Sequence, residues 1–600
     1  MTMVQRAIEL NQPALALTDH GTLGGYLRFH HECEELGIKP ILGIEFYVAD
    51  DLYRQEKAVG FDEDHLIVLA RTWKGLQSLF KLVDISFQHG YYYRPRIDEK
   101  HLLEHASDDL VVLSGCVSSK LCRMILNNQR TAAKKHIDRM QNAYNGNYFV
   151  EIQPHDFRLQ LDYNSVVVDV AKEVGARLVA TNDSHYLTRE EAETHDVLLA
   201  VQTGARLDDP NRFRFEVGSC FIASRQDMSD MFRAHSNVSA ETVSGALDMT
   251  MEVVDLIDFK MPVVEDLSTK VQVPSEYRSR RDWFLQLIRD GWVKRNMEWV
   301  IEYNAARWNE RIGDVRDEYR DRVLFEVDTI ERLGFSDYFI TVHEMYTDLG
   351  HLPHGPGRGS VGGSLVAYLL DIHNVEPITY DLQFERFLNP DRTSPPDIDM
   401  DWAPKARDEV IDWFRERFGE ENVAHIGTWG TLGGKMGFKD VCRVHGVPLN
   451  QVEKIADLID ESVTETTGSE IDAFKRNWPG VIRAAGRLEG LARQRGVHAA
   501  GIVASPVLRE ITSIEMRGPP GKREPCTALT GKEVEKIGLV KWDVLGVGEL
   551  EAVEIAKREI KKNHDLEWKE PGFDLNDPSV LASMQSGHTV GIFQFDTLIA

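Results

Sequence analysis

The chain has 600 residues, 42% of them hydrophobic and 9% aromatic, enough to bury several cores and too apolar for a disordered polymer. No apolar run approaches a membrane span, the first residues lack a leader-like pattern, and six scattered cysteines argue for a reducing, cytoplasmic setting rather than a disulfide framework or zinc module. The net charge of −27 weighs against general polyanion binding, although a protein that gathers carboxylates around metal ions can be acidic overall and keep a local basic groove.

From residue 1 to about 255, apolar runs alternate with helical text. "PALALTDHG", "KPILGIEFYVA", "DHLIVLA", "DLVVLSGCV", "NYFVEIQ" and "ARLVATNDSHYL" read as strands; "GGYLRFHHECEELG" and "YNSVVVDVAKEVG" read as helices. This is α/β alternation of the barrel or layered-sheet kind, in which functional groups collect at strand ends. Those ends carry Asp19 with His20, Glu45, His65, Cys116, and Asp183 with His185. Each has an ordinary packing role open to it, but a mixed His/Asp/Glu/Cys set at successive strand ends suits zinc, manganese or iron better than magnesium alone.

The chain opens inside an amphipathic helical pattern, "VQRAIELNQ", for which no capping signal is expected. Past residue 256, "FKMPVVEDLSTKVQVPSEYRS" reads as a connector, followed by long charged helices through about 334. A Gly-rich stretch at 355–364 and an aspartate strand come next, then mostly helical text to about 495 and strands to 546. The chain closes on a strand-like run, "TVGIFQFDTLIA". Both ends read as abrupt, as in a fragment.

In "PPDIDMDWAPKARDEV", Asp397, Asp399 and Asp401 alternate with Ile398, Met400 and Trp402. An extended strand puts the carboxylates on one face, where their mutual repulsion needs neutralising. Upstream, "HGPGRGSVGGSLVAYLL" offers small residues for close backbone approach, Arg358 as a phosphate fork, and a helix from Ser364 onward with free N–H groups for an anion. A Gly-rich loop alone is more often a tight turn, and a lone D-x-D more often a solvated edge. Together they match what phosphoryl transfer with two divalent cations requires. "IGLVKWDVLG" supplies another carboxylate, Asp543, on an apolar strand where it needs a partner to justify burial.

These stretches, with "YDLQFERFLNPDRTSPPDIDMDW", "VAHIGTWGTLGGKMGFKDVCRVHG" and "LARQRGVHAAGIVASP", resemble the C-family bacterial DNA polymerases, the polymerase III alpha type, nearly end to end. The resemblance implies an α/β multidomain chain, of bacterial or phage origin and shortened at both ends. A PHP-type (β/α) barrel would span 1–255, without its first strand. A palm of the polymerase-beta nucleotidyltransferase type would span 256–430 and 501–548, with a helical thumb at 431–500 and the start of the fingers at 549–600.

It further implies that Asp399, Asp401 and Asp543 bind two magnesium ions, with Asp397 orienting the strand. Arg358, Gly359, Ser360, Arg386 and Lys541 would meet the nucleotide triphosphate. Lys435, Lys439, Arg443 and His498 would lie on the template or primer side. The implied PHP ligands are His20, Glu45, His65, Cys116, Asp183 and His185, for zinc or manganese. Three of the family's usual nine have no counterpart, so one loosely held metal at most and little 3′–5′ exonuclease activity are expected. The implied partners are primer-template DNA and deoxynucleoside triphosphates, with no membrane, no sliding-clamp contact through this chain, and a second polypeptide as a source of fingers. Two alternatives stand beside a DNA polymerase: an incomplete chain active only with that second polypeptide, and a metal-dependent phosphoesterase.

Overall fold

The first helix, Met3–Glu9, is capped at its start: Thr2 accepts from the Gln5 backbone N–H, and the Gln5 side chain accepts from the Thr2 N–H. The expectation of an uncapped start is thereby corrected, since T-x-x-Q is a capping box. The structure is a computed structural model and describes residues 2–54, 63–215, 217–262, 269–389, 391, 396–459, 462–566, 577–590 and 592–595. Part of the connector and part of the closing run lie outside these residues. Those of the closing run that are described form turns rather than a strand.

The chain divides into two units. The first gathers Met1–Val263, Gly427–Val497 and Arg509–Glu533; the second gathers Val264–Ile426, His498–Leu508 and Val534–Ala600. The helical segment after residue 431 therefore belongs to the same unit as the N-terminal α/β region, a grouping that the sequence reading of separate successive domains does not contain.

In the first unit, strands β1 (Ala14–Leu17), β2 (Lys39–Ala49), β3 (Asp64–Ala70), β4 (Arg96–Asp98), β5 (Leu110–Leu113), β6 (Tyr148–Ile152) and β7 (Arg177–Ala180) form one sheet. Its path is β1-β2-β3-β5-β6-β7, with β4 on β2. β3 runs antiparallel to β2 and β5; the other pairs are parallel. Apolar runs such as Leu110–Leu113 are fully buried, as strands covered on both faces must be. The helix Trp73–Gln88 buries Leu76, Leu79, Phe80, Val83 and Phe87, the stripe of a 3.6-residue period. Val253 and Ile257, in and just after the helix Ala240–Leu256, close the other face over Ile41, Leu69, Val111 and Phe149.

The helices Gly434–Val444, Leu449–Ala456, Ser469–Asn477 and Pro479–Leu488 share a core with Val197, Ala200 and Val201 of the helix Ala192–Thr203. That apolar face joins the segment to this unit. A strand, Val423–Thr431, interrupts the text expected to be mostly helical.

In the second unit the helices Arg280–Lys294, Met297–Trp308, Ile312–Arg332 and Ser336–Leu349 pack around a core that includes Ile398, Met400, Trp402, Trp542 and Val544. Here β8 (Asp399–Trp402) lies parallel to β10 (Lys541–Gly546), with Asp399 opposite Asp543. β10 also pairs antiparallel with the end of β9 (Ala492–Ala504), Gly501 opposite Asp543. The strand alternates as expected: Ile398, Met400 and Trp402 are at most 1% exposed and anchor it in the core.

Candidate active site

Asp399 and Asp543 are register partners on neighbouring parallel strands, which lie about 4.8 Å apart. Asp401, two residues along β8, shares their face. Arg358 gathers the two carboxylates of β8: its Nε and Nη2 donate to the two oxygens of Asp401 at 2.9 and 3.1 Å, and its Nη1 donates to Asp399 at 3.1 Å. Lys541 stands 2.7 Å from Asp543 and 3.6 Å from Asp397. Two of the three positive charges expected to serve phosphate, Arg358 and Lys541, are thus engaged with the aspartates themselves.

Partial burial pushes the Asp399 carboxyl up, and Asp397 and Asp401 add to it while Arg358 opposes. Asp397, just before the strand, is raised by partial burial and by its hydrogen bond to Asp543. Burial works against the Lys541 charge, but Asp543, Asp397 and Glu535 raise its pKa overall.

The Gly-rich stretch runs beside β8. Gly355 N–H donates to the Asp401 carbonyl at 2.8 Å, and Arg358 bridges antiparallel to Asp399. Gly359 has φ +77° and a Cβ there would sit 2.7 Å from Asp399 Oδ2, so only glycine fits. It opens a short 3₁₀ turn, Gly359–Gly363, on which Ser360 is exposed. A second turn, Phe384–Arg386, follows the Gln383 carbonyl that touches Gly363, and Arg386 at its end is exposed.

One expectation fails here. The helix after Ser364 is only Leu365–Leu369, and its first N–H groups are not free. Those of Leu365 and Val366 donate to Glu326, which is fully buried, and that of Ala367 donates to Ser364 Oγ. A buried helix start must satisfy its donors internally, so this one offers nothing to a phosphate.

In the first unit the six expected PHP residues converge. His65 Nδ1 is 2.6 Å from Glu45 Oε1 and 3.6 Å from Cys116 Sγ; His20 Nδ1 is 3.7 Å from the same Glu45 oxygen. His185 Nε2 is 3.2 Å from Asp183 Oδ1, and the His20 and His185 rings stack at 6.3 Å. His20, Glu45 and His65 each offer an atom within 4.8 Å of the others. Asp19, His20, Glu45, Asp183 and His185 line a cavity of about 430 Å³. Asp183 holds φ +47°, a left-handed backbone that Asp tolerates better than most residues. Burial would raise its carboxyl, but His185, His20 and His155 hold it low; His185 is raised in return, against its own burial. Burial, Glu45 and Asp183 push the Cys116 thiol well up.

Glu151 and His155 belong with this cluster and were missed. Glu151 is buried, accepts from Gly115 N–H and Thr181 Oγ1, and is pushed to about 7 by burial. A glutamate inside the apolar "NYFVEIQ" carried the same signal as Asp543. His155 Nδ1 is hydrogen-bonded to Ser219 Oγ at 2.8 Å, and its buried Nε2 has no hydrogen-bond partner among the described residues.

Of the expected template-side residues, Lys435 and Lys439 are exposed one turn apart on the helix Gly434–Val444. Arg443, a turn further, donates to the carbonyls of Gly204 and Val201 and so caps the end of the helix Ala192–Thr203. His498 Nδ1 accepts from Gly501 N–H at 2.7 Å, which fixes the entry into β9's paired half. Among the described residues no helix is long and apolar enough to cross a membrane.

The fold defines a class: a PHP-type domain with a His/Asp/Glu/Cys cluster in one unit and an aspartate-bearing nucleotidyltransferase palm in the other. Residues 298–546 match the family model of the bacterial DNA polymerase III alpha NTPase domain, and 1–155 match that of the PHP domain. The chain is 34% identical to DNA polymerase III subunit alpha of Thermus aquaticus, over 98% of its own length and 52% of that protein. It is 32% identical to the subunit of Borreliella burgdorferi and 31% to that of Treponema pallidum, over 99% of itself and 51% and 50% of theirs. The chain belongs to the DNA polymerase III alpha family and spans about half the length of these relatives.

Proposed function

We propose that this chain is the PHP, palm and thumb portion of a template-directed DNA polymerase, with the start of the fingers. It would add deoxynucleotides to a primer 3′-hydroxyl. The observation that carries this reading is Asp399 opposite Asp543, with Asp401 on the same face and Gly359 pressed against Asp399. The residues fit divalent cations: the carboxyls of Asp397 and Asp399 are raised by burial and by crowding, and Asp543 Oδ1 is buried with no hydrogen-bond partner among the described residues. An all-oxygen set suits magnesium, which Asp399, Asp401 and Asp543 would hold. Two such ions, when bound, acidify the attacking hydroxyl and stabilise charge on the leaving oxygen.

The chain's own residues supply the rest. Gly359 and Ser360 offer an accessible backbone to the triphosphate, with Arg358 and Arg386 as its guanidinium partners. Lys541 would sit between Asp543 and Asp397 as their shared counter-charge. The primer oxygen bonds to the α phosphorus as the bond to pyrophosphate breaks. Lys435 and Lys439 would lie along DNA phosphates; Arg443 and His498 act by holding backbone.

A second activity, phosphoester hydrolysis, is favoured by the clustering of His20, Glu45, His65, Cys116, Asp183 and His185, four of which, His20, Glu45, Asp183 and His185, line one cavity. Nitrogen, oxygen and sulfur donors fit zinc or manganese there.

Primer extension by the purified chain tests the main reading. Template-directed addition that needs magnesium and disappears in Asp401→Asn is expected; extension unchanged in that variant would reject the palm assignment.

A further inference from the structure

The buried carboxylate that overturned the anion-binding helix start has a role of its own. Glu326 lies on the helix Ile312–Arg332 and is fully buried. Its two oxygens accept four hydrogen bonds: from Leu365 N–H and Val366 N–H at 2.9 Å each, from Ser364 Oγ at 2.7 Å, and from Arg322 Nε at 2.7 Å. Three N–H donors and a hydroxyl surround it; burial pushes its carboxyl up, while Arg322 and these hydrogen bonds pull it down. Arg322 Nη2 then donates to the carbonyls of Gly363 at 2.6 Å and Leu382 at 3.0 Å.

These two carbonyls belong to different segments. Gly363 ends the turn that carries Gly359 and Ser360; Leu382 lies two residues before the turn that ends at Arg386. One ion pair therefore fixes both segments on one rigid helix. A buried ion pair is costly, and apolar side chains could fill the same volume. Apolar side chains could not hold two N–H groups, a hydroxyl and two carbonyls in set directions. The five-residue helix Leu365–Leu369 is too short to hold its own start in place.

We propose that Glu326 and Arg322 are the positioning pair of the nucleotide cradle, fixing the Gly359–Gly363 turn and the Arg386 segment so that both meet one triphosphate. The inference rests on the palm reading above. Neither residue touches substrate; they act through the backbone they hold.

The test uses the full chain and three readouts: equilibrium binding of a deoxynucleoside triphosphate with magnesium, nucleotide-free Mn²⁺ binding that is sensitive to Asp543→Asn, and thermal unfolding. Glu326→Gln keeps the shape but turns an NH₂ toward donors. It should weaken nucleotide binding by roughly tenfold, as expected for losing a charge-assisted hydrogen bond, and leave Mn²⁺ binding unchanged. Arg322→Lys keeps the charge but loses the fork that spans two carbonyls, and should weaken binding by about threefold. If Glu326→Gln does not fold, Arg322→Lys decides alone. Wild-type nucleotide affinity in folded variants would overturn the proposal, as would an equal loss of Mn²⁺ binding, which marks general damage. A wild-type chain that binds no triphosphate would instead reject the palm reading, and the pair's role with it.

Discussion

The two carboxylate sites solve the same electrostatic problem with different partners. In the candidate palm site, Asp399, Asp401 and Asp543 are paired with a guanidinium and an ammonium group, Arg358 and Lys541. In the PHP cluster, Glu45 and Asp183 are balanced by His65, His20 and His185, groups that can also give up protons and coordinate metal through nitrogen. The first set is hard and all-oxygen; the second mixes nitrogen, oxygen and sulfur. On the proposed reading, this difference would separate a magnesium site from a transition-metal site.

That contrast breaks most visibly on metal selectivity. His65→Ala should strip zinc or manganese from the purified chain, while Asp399→Asn should leave that metal in place. Elemental analysis after dialysis reads both, and loss of the metal in both variants would show that the sites are not chemically distinct. A smaller effect is expected at Arg358. Because its fork is spent on Asp399 and Asp401, Arg358→Ala should tighten Mn²⁺ binding at the palm and weaken triphosphate binding by about tenfold. Primer-template affinity should hardly move. Filter binding and metal titration check the two directions, and looser Mn²⁺ binding would contradict the balance.

His373 sharpens the comparison through pH. It packs under Gly357, its Nε2 meets the Ser364 carbonyl, and its Nδ1 accepts from Val375 N–H, which requires the neutral ring. Burial lowers its pKa from 6.5 to about 4. The unfolded chain therefore binds the proton more readily between these values, and stability present above pH 6.5 is lost as pH falls toward about 4. Thermal unfolding of the wild type between pH 7.5 and 5 should fall more steeply than that of His373→Gln, and parallel slopes would exclude His373 as the cause. The smallest effect is at the N-terminal cap, where Thr2→Ala should cost about 1 kcal/mol in denaturant unfolding.

Much of the palm was legible because a period of two is hard to mistake. Ile398, Met400 and Trp402 had to face inward, so Asp399 and Asp401 had to share the other face. Asp543 stood out as a charge among apolar neighbours. The clustering of His20, Glu45, His65, Cys116, Asp183 and His185 was legible from ionisable residues at strand ends. Glu326 was not, because "RDRVLFEVDTIER" is dense in charge and nothing local says which one turns inward; the segment it caps comes about forty residues later in the chain. Glu151 and the Thr2 cap carried readable signals that were passed over. The grouping of 427–497 with the N-terminal unit depends on Val197 and Val201 meeting Phe438 and Val441, a long-range match with no local trace.

The central claim is that Asp399, Asp401 and Asp543 form one cation site serving a nucleotide. Mn²⁺ titration of the full chain, with and without a deoxynucleoside triphosphate, tests it most directly, compared between wild type and Asp543→Asn. Triphosphate should add bound Mn²⁺ in the wild type, and that gain should vanish in Asp543→Asn while PHP-bound metal stays. A full gain in Asp543→Asn would contradict it.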